Sequence, residues 1–217
     1  MSVGSDALGW VRPTALTARP QRPSWHLLPA GWRLFRSMAP CDELVIARYG
    51  AVEVRRVPAG FAAVTSVKGE RLAAARTAFG RVADYAEGRN RGSVRLATRG
   101  PVTQVSAAAP SARGRWRVSV PIAGATGALV ASAAGGGKVR IEPEAARTLA
   151  VVRVSARPTP ALMASAEAAI FRAIPPGTWA ADGPALIRMH SPPRSRLLGG
   201  WFEVAVPLAP LREDVPA

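Results

Sequence analysis

Few residues in this chain have side chains suited to chemistry, and they lie far apart in the sequence. There is one cysteine, Cys41, and there are two histidines, His26 and His190. No serine stands in a Gly-x-Ser-x-Gly elbow, and no base that would activate Cys41 is evident. A single cysteine also excludes an internal disulfide and a cysteine-based zinc site. The sequence therefore predicts a protein that is not an enzyme.

Two further patterns resemble catalytic motifs only superficially. Glu142 and Glu144 flank Pro143, which predicts a turn rather than a pair of facing carboxylates. The run of glycines at 135–137 before Lys138 lacks the spacing of a phosphate-binding loop and the Ser or Thr after the lysine. It leads into a predicted strand instead of a helix, and we interpret it as a linker.

The chain is strongly basic, with 29 Lys and Arg against 14 Asp and Glu and a formal charge of +15. Only Lys68 and Lys138 are lysines, and the chain is rich in Ala, Gly and Pro, so much of this charge reflects a composition typical of GC-rich codons. The charge favours anionic partners such as carboxylates, phosphates or acidic membrane surfaces. A nucleic-acid partner is disfavoured. No apolar run approaches the roughly 18 residues of a transmembrane helix.

Residues 1–42 form a Pro- and Arg-rich segment without helical or alternating periodicity, which predicts an irregular extension. Its arginines and scarce acidic residues leave organelle targeting open, and Met38 is an alternative start. Without a secretory signal, the expected location is the cytoplasm. The domain is expected at 43–210, followed by a short tail at 211–217.

Two helices and a series of short strands are predicted within this domain. Glu70 to Glu87 is the first helix, ending before Gly88, and the second begins at Thr159 with Pro160 in its first turn. The predicted buried stripes are Leu72, Ala75, Phe79, Val82 and Ala86 in the first helix, and Leu162, Ala166, Ala169, Ile170 and Ala173 in the second. Strands are predicted at 44–49, 52–57, 61–67, 94–98, 102–107, 115–122, 138–142, 148–155, 185–189 and 201–208.

The same order of elements occurs twice, at about 44–123 and 138–209. The run from Val118 to Ala123 matches the run from Val204 to Ala209, and Phe61 to Val64 matches Leu149 to Val152. This internal duplication predicts an α+β fold. Two β-β-α-β-β units would form a distorted antiparallel barrel or sheet, with the two helices packed on it.

Several segments resemble the SOUL haem-binding family. They are Phe79 to Asn90, whose end reads Gly-x-Asn; the strand with Thr98 followed by Pro101-Val102; Arg188 to Pro193; Glu203-Val204; and Val52 to Arg55. Together they span about 44–209. The sequence departs from the family pattern at Met189 and His190, where an aromatic residue and Asn are usual, at the Gly199-Gly200 turn, and at Ala97, where Met is usual.

The resemblance implies a small-molecule-binding module that takes haem or a related tetrapyrrole in an apolar surface groove. The predicted cofactor-binding residues are Phe79, Val82, Tyr85, Arg89, Arg188 and His190. The groove is expected between the exposed edge of the first helix and the loop near His190. His190 is the candidate axial ligand of the iron, because Met163 is predicted to be core and Met189 points to the other side of the strand from His190.

Two other functions stay open at this stage. A gyrase-inhibitor-like domain that senses an effector or binds a protein has a similar duplicated fold, and a cationic effector would require an acidic residue in the groove. Glu203 is the main candidate for that residue. Electrostatic binding to nucleic acid or an anionic membrane is the third alternative, and it would weaken steeply with salt.

Overall fold

The computed structural model describes residues 41–106, 113–124, 130, 137–156, 158–190 and 201–211. The N-terminal extension before Cys41, the glycines at 135 and 136, and the tail after Leu211 lie outside these ranges. The strands are β1 (Leu44–Tyr49), β2 (Val52–Val57), β3 (Gly60–Glu70), β4 (Val102–Ser106), β5 (Arg113–Ile122), β6 (Val139–Glu144), β7 (Arg147–Val154), β8 (Trp179–Ala181), β9 (Leu186–Met189) and β10 (Phe202–Pro210). The helices are α1 (Arg71–Ala86) and α2 (Pro160–Ala173).

The strands form one antiparallel sheet in the order β1-β2-β7-β10-β9-β4-β5-β3-β6, with β8 paired to β10. Within the described residues this sheet does not close into a barrel. The strand order from β2 to β6 is symmetric. Followed from β2 or from β6, it meets corresponding strands of the two predicted copies in the same order. Each copy places one strand in the other half of the sheet: β2 of the first copy lies beside β7, and β6 of the second copy lies beside β3. The central β4–β9 pair joins the two halves.

The pairings align the two copies residue by residue. Val118 pairs with Gln104, and Val204 pairs with Ile187, so the two valines hold equivalent places as the sequence predicted. The match of Phe61–Val64 with Leu149–Val152 is wrong by one residue. Val118 pairs with Thr65 while Val204 pairs with Val152, which makes Thr65 the counterpart of Val152.

Helix α1 begins where Glu70 accepts hydrogen bonds from the N–H groups of Leu72 and Ala73, both at 3.0 Å. It ends before Gly88, whose φ of 106° is in the left-handed region that favours glycine. The buried face packs on β3 and β5 and contains Ala74, Ala75, Ala78, Phe79, Val82, Ala83, Tyr85 and Ala86. The predicted first helix and most of its stripe are therefore confirmed.

Helix α2 begins as predicted, with the Thr159 hydroxyl accepting the Leu162 N–H at 3.2 Å and Pro160 in the first turn. It packs on β10 and β7. The predicted stripe is wrong at Leu162, which is 37% exposed. Ala166 and Ile170 of the predicted stripe are buried as expected, and Met163 takes the place of Leu162 at the start of the stripe.

Two short segments also differ from the prediction. Residues 94–98 are not a strand; only Thr98 forms an isolated bridge, with Ile122. Asn90 holds this segment by accepting the Val94 N–H at 3.0 Å and donating to the Tyr85 carbonyl at 2.9 Å. Strand β8 was missed because three residues are too few to show an alternation.

Both helices pack on one face of the sheet and form the main core with it. The opposite face carries a second, smaller apolar cluster of Leu149, Val151, Leu186 and Ala205. No helix in the described ranges is long and apolar enough to span a bilayer.

Candidate functional site

Charged side chains meet on the face of the sheet that lies opposite the helices. They come from β2, β9, β10 and the segment before β1, and they are joined by a histidine that directly follows β9. We call them the ionic cluster, which consists of Glu43, Glu53, Arg55, Arg188, His190 and Glu203. Arg188 and Glu203 are direct cross-strand partners, and the neighbours of each within its own strand are apolar and face the core.

Glu203 is the centre of the ionic cluster. Its side chain is 3% exposed and accepts hydrogen bonds from Arg188 at 3.0 Å, Arg55 at 3.0 Å and His190 Nε2 at 2.8 Å. Burial alone would raise the pKa of this carboxyl group. The hydrogen bond from His190 and the charges of Arg188 and Arg55 outweigh burial and hold the pKa at about 2. Glu203 is therefore a carboxylate at neutral pH.

Arg188 is as deeply buried as Glu203, with 3% of its side chain exposed. Burial lowers its pKa, and the charge of Glu203 opposes that shift. The guanidinium pairs with Glu203 on one side and with Glu43 on the other. Its Nε has no hydrogen-bond partner among the described residues. Arg188 is thus committed to two carboxylates.

The segment Cys41–Glu43 lies across the ionic cluster. Glu43 forms ion pairs with Arg55, at 3.2 Å, and with Arg188. It also accepts a hydrogen bond from the thiol of Cys41 at 3.2 Å. Asp42 pairs with Arg99 just before β4. Burial raises the pKa of Cys41 in spite of the nearby arginines. A protonated thiol that donates to a carboxylate is not an activated nucleophile.

His190 connects this buried cluster to the surface. Its side chain is 25% exposed, and its ring stacks on Trp201 with centroids 4.2 Å apart and planes at 22°. Because Glu203 is ionised, it can only accept, so Nε2 of a neutral His190 carries the hydrogen. Nδ1 then holds the lone pair, and no described residue donates a hydrogen bond to it.

Trp201 also contacts Arg153 of β7. The Arg153 guanidinium carbon lies 3.7 Å from the centroid of the Trp201 ring. Arg153 is the direct cross-strand partner of Glu203, yet within the described part of the chain it forms no ion pair. We call His190, Trp201, Glu203 and Arg153 the histidine site.

The structure brings together only some of the residues predicted from the sequence. Arg188 and His190 meet through Glu203. Phe79, Val82 and Tyr85 are buried in the main core on the other face of the sheet, with exposures of 7%, 0% and 2%. The prediction that they form an exposed edge facing His190 is therefore wrong.

Arg89, too, contacts a different part of the protein from the histidine site. It is exposed, follows the end of α1, and pairs with Asp84 of that helix at 3.4 Å. Among the described residues, no three His, Cys, Asp or Glu side chains are arranged to hold a metal ion by themselves.

Sequence reasoning did not select Glu43, Arg55, Arg153 or Trp201 as site residues, and the only site role that it gave Glu203 was as a possible partner of a cation. One signal was available. Arg188 and Glu203 each stand alone in an otherwise apolar strand, and a single charge in such a strand predicts a buried pair.

Comparison with solved structures supports the fold. The chain superposes on the EcmrR–DNA complex with a TM-score of 0.54 and 6% identity, covering 73% of this chain and 57% of that one. It superposes on the isolated EcmrR C-terminal domain with a TM-score of 0.54 and 8% identity, covering 73% and 97% of the two chains. A hydrolase from Listeria innocua gives a TM-score of 0.51 at 12% identity, covering 76% and 94%.

At these identities the structural similarities establish the fold alone. This chain spans a little over half of the EcmrR chain in its DNA complex. No curated protein sequence matches the chain. The sequence model described as SOUL heme-binding protein matches residues 42–193, which confirms the resemblance seen in the sequence. The chain belongs to the SOUL haem-binding protein family.

Proposed function

We propose that this protein is a binding module, not an enzyme, and that it takes haem or a related tetrapyrrole at the histidine site. The observation that carries the proposal is the pairing of His190 Nε2 with Glu203 at 2.8 Å. Histidines that bind metals usually donate their other ring N–H to a carboxylate, which fixes the tautomer and makes the ligating nitrogen more basic. His190 has this arrangement before any metal is bound.

The donor set of the histidine site fits an iron tetrapyrrole. A neutral imidazole is a common axial ligand of haem iron, and Nδ1 of His190 is the nitrogen with the free lone pair. The Trp201 ring covers one face of the imidazole. A metal binds to a ring nitrogen at the edge of the imidazole, and this stack leaves the edge uncovered. Trp201 is an aromatic side chain in direct contact with this imidazole. Haem, when bound, would supply an iron centre with redox and ligand-binding chemistry.

A cationic effector is less well supported than a tetrapyrrole. The sequence offered Glu203 as the acidic residue that would bind it. In the structure Arg188 and Arg55 already pair with Glu203, and Glu43 and Glu53 also pair with Arg55. A cation would have to displace a buried guanidinium from Glu203. This favours a ligand that uses His190 and leaves the ionic cluster intact.

The proposal is tested by titrating the full-length protein with haemin and following the absorbance of the Soret band. His190→Ala is the test variant, and His26→Ala is the matched control because it removes the only other histidine. We expect saturable one-to-one binding by the wild type and by His26→Ala. His190→Ala should bind more weakly and give a different Soret maximum.

Two results would overturn the proposal. Absence of saturable binding at micromolar protein and moderate salt would exclude haem. Identical spectra and affinities for His190→Ala and His26→Ala would remove His190 from the site.

A further inference from the structure

Arg153 is a cation that lies beside a carboxylate without pairing with it. It faces Glu203 directly across the β7–β10 ladder, but the two carboxylate oxygens of Glu203 already bind Arg188, Arg55 and His190. The Arg153 side chain is exposed and lies over Trp201 instead. Its charge therefore has no carboxylate partner among the described residues, in contrast to the two arginines of the ionic cluster.

Stacking leaves the hydrogen-bonding capacity of Arg153 intact. A guanidinium that lies over an aromatic ring uses its face for that contact, while its N–H donors point outward in the plane of the group. Those donors match the two oxygens of a carboxylate in a bidentate pair. Contact with Trp201 also restricts the side chain, so less conformational entropy is lost when an anion binds.

Arg153 and His190 both contact the same indole ring of Trp201. The indole ring is the shared contact of the two side chains, and a ligand at His190 that extends past this ring meets an unpaired guanidinium. The carboxylate oxygens of Glu203, the cross-strand partner of Arg153, are already bound by three other donors. The local surface thus favours a ligand that carries negative charge over a neutral or cationic one.

We propose that the histidine site selects ligands bearing a free carboxylate, and that Arg153 is the residue that binds that carboxylate. For a tetrapyrrole, the carboxylate is a propionate side chain. This inference rests on the proposed function for the location of the ligand, but it does not depend on iron or on ligation by His190.

The test uses metal-free protoporphyrin IX and its dimethyl ester, which differ only in the two carboxylates. Binding of each to the full-length protein is measured by porphyrin fluorescence. Arg153→Gln removes the charge, Arg153→Lys keeps the charge but removes the planar fork, and Arg140→Gln is the matched control. Arg140 is an exposed arginine on β6, beside β3 at the other end of the sheet, and its substitution changes the net charge of the protein equally.

We expect the wild type and Arg140→Gln to bind the diacid more tightly than the ester. Arg153→Gln should weaken diacid binding at least about tenfold, because the charge-assisted pair with the carboxylate is lost, and leave ester binding unchanged. Arg153→Lys should give an intermediate loss. The ratio of the two affinities is measured within each variant, so a change in stability does not alter it.

The inference is overturned if the ester binds as tightly as the diacid, if Arg153→Gln and Arg140→Gln lose diacid binding equally, or if the diacid does not bind. Its failure is distinguishable from failure of the proposed function. Diacid binding that needs Arg153, together with no haemin binding, would sustain this inference and reject iron ligation. Haemin binding that depends on His190 but not on Arg153 would support iron ligation and reject the role of Arg153 in carboxylate binding.

Discussion

The Nε2 atom of His190 lies 2.8 Å from Oε2 of Glu203, and this hydrogen bond joins a buried ionic cluster to a partly exposed imidazole. On its buried side, Glu203 holds Arg188 and Arg55. On its outer side, it sets the hydrogen on Nε2 of His190 and leaves the lone pair on Nδ1. The same carboxylate thus contributes to the stability of the sheet and to the chemistry of the histidine site.

Replacing Glu203 by Gln should destabilise the fold strongly. Arg188 would stay buried with only Glu43 to balance its charge, and breaking a buried pair in this way typically costs about 3–5 kcal/mol. The free energy of unfolding, measured by chemical denaturation at neutral pH, checks this. Glu142→Gln is the matched control, because the Glu142–Arg117 pair is substantially exposed and should be worth less than about 1 kcal/mol. Equal stability of the two variants would contradict the role given to Glu203.

The stability of the protein should depend on pH through Glu203. Its folded pKa of about 2 is below its usual value of 4.5, so the folded state favours the ionised form. The contribution is complete above about pH 4.5 and is lost as the pH falls towards 2. We expect the stability difference between wild type and Glu203→Gln to shrink over that interval. A difference that stays constant from pH 6 to pH 3 would show that Glu203 is not held as a carboxylate by its neighbours.

The packing of α2 gives a prediction that separates two members of its predicted stripe, Ile170, which is buried, and Leu162, which is exposed. Ile170 is fully buried, and Ile170→Ala should cost about 2–5 kcal/mol through lost burial and the cavity left behind. Leu162 is 37% exposed, and Leu162→Ala should change the free energy of unfolding by less than about 1 kcal/mol. Thermal or chemical denaturation of the two variants checks this. A larger effect at Leu162 than at Ile170 would mean that α2 is rotated relative to the sheet.

Much of the fold follows from local sequence patterns. The start of α2 could be predicted because Thr159 followed by Pro160 is a common signal for a helix N-terminus. The end of α1 could be predicted because glycine, here Gly88, commonly takes the positive φ that ends a helix. The sequence did not predict that β2 pairs with β7 of the other copy or that β6 pairs with β3. Strand pairing depends on contacts between distant segments, and an alternating pattern does not identify the neighbour of a strand.

The histidine site was predicted only in part, for a related reason. His190 was singled out by residue type, but its partners Trp201 and Arg153 come from two other segments of the chain. Arg55 and Glu53 alternate with valines on β2, a pattern typical of a strand with one solvent-facing side. The sequence does not show that the segment Cys41–Glu43 crosses this side of the sheet. It also does not show that Arg55 and Arg188 form ion pairs with Glu43 there.

The central claim is that His190, oriented by Glu203, ligates the iron of a bound haem. Resonance Raman spectroscopy of the reduced haem complex tests it most directly, because an iron–histidine stretching band reports the bond itself. We predict this band in the wild type and in His26→Ala, and its absence in His190→Ala. A band that persists in His190→Ala, or a wild-type complex that binds haem without the band, would contradict the account.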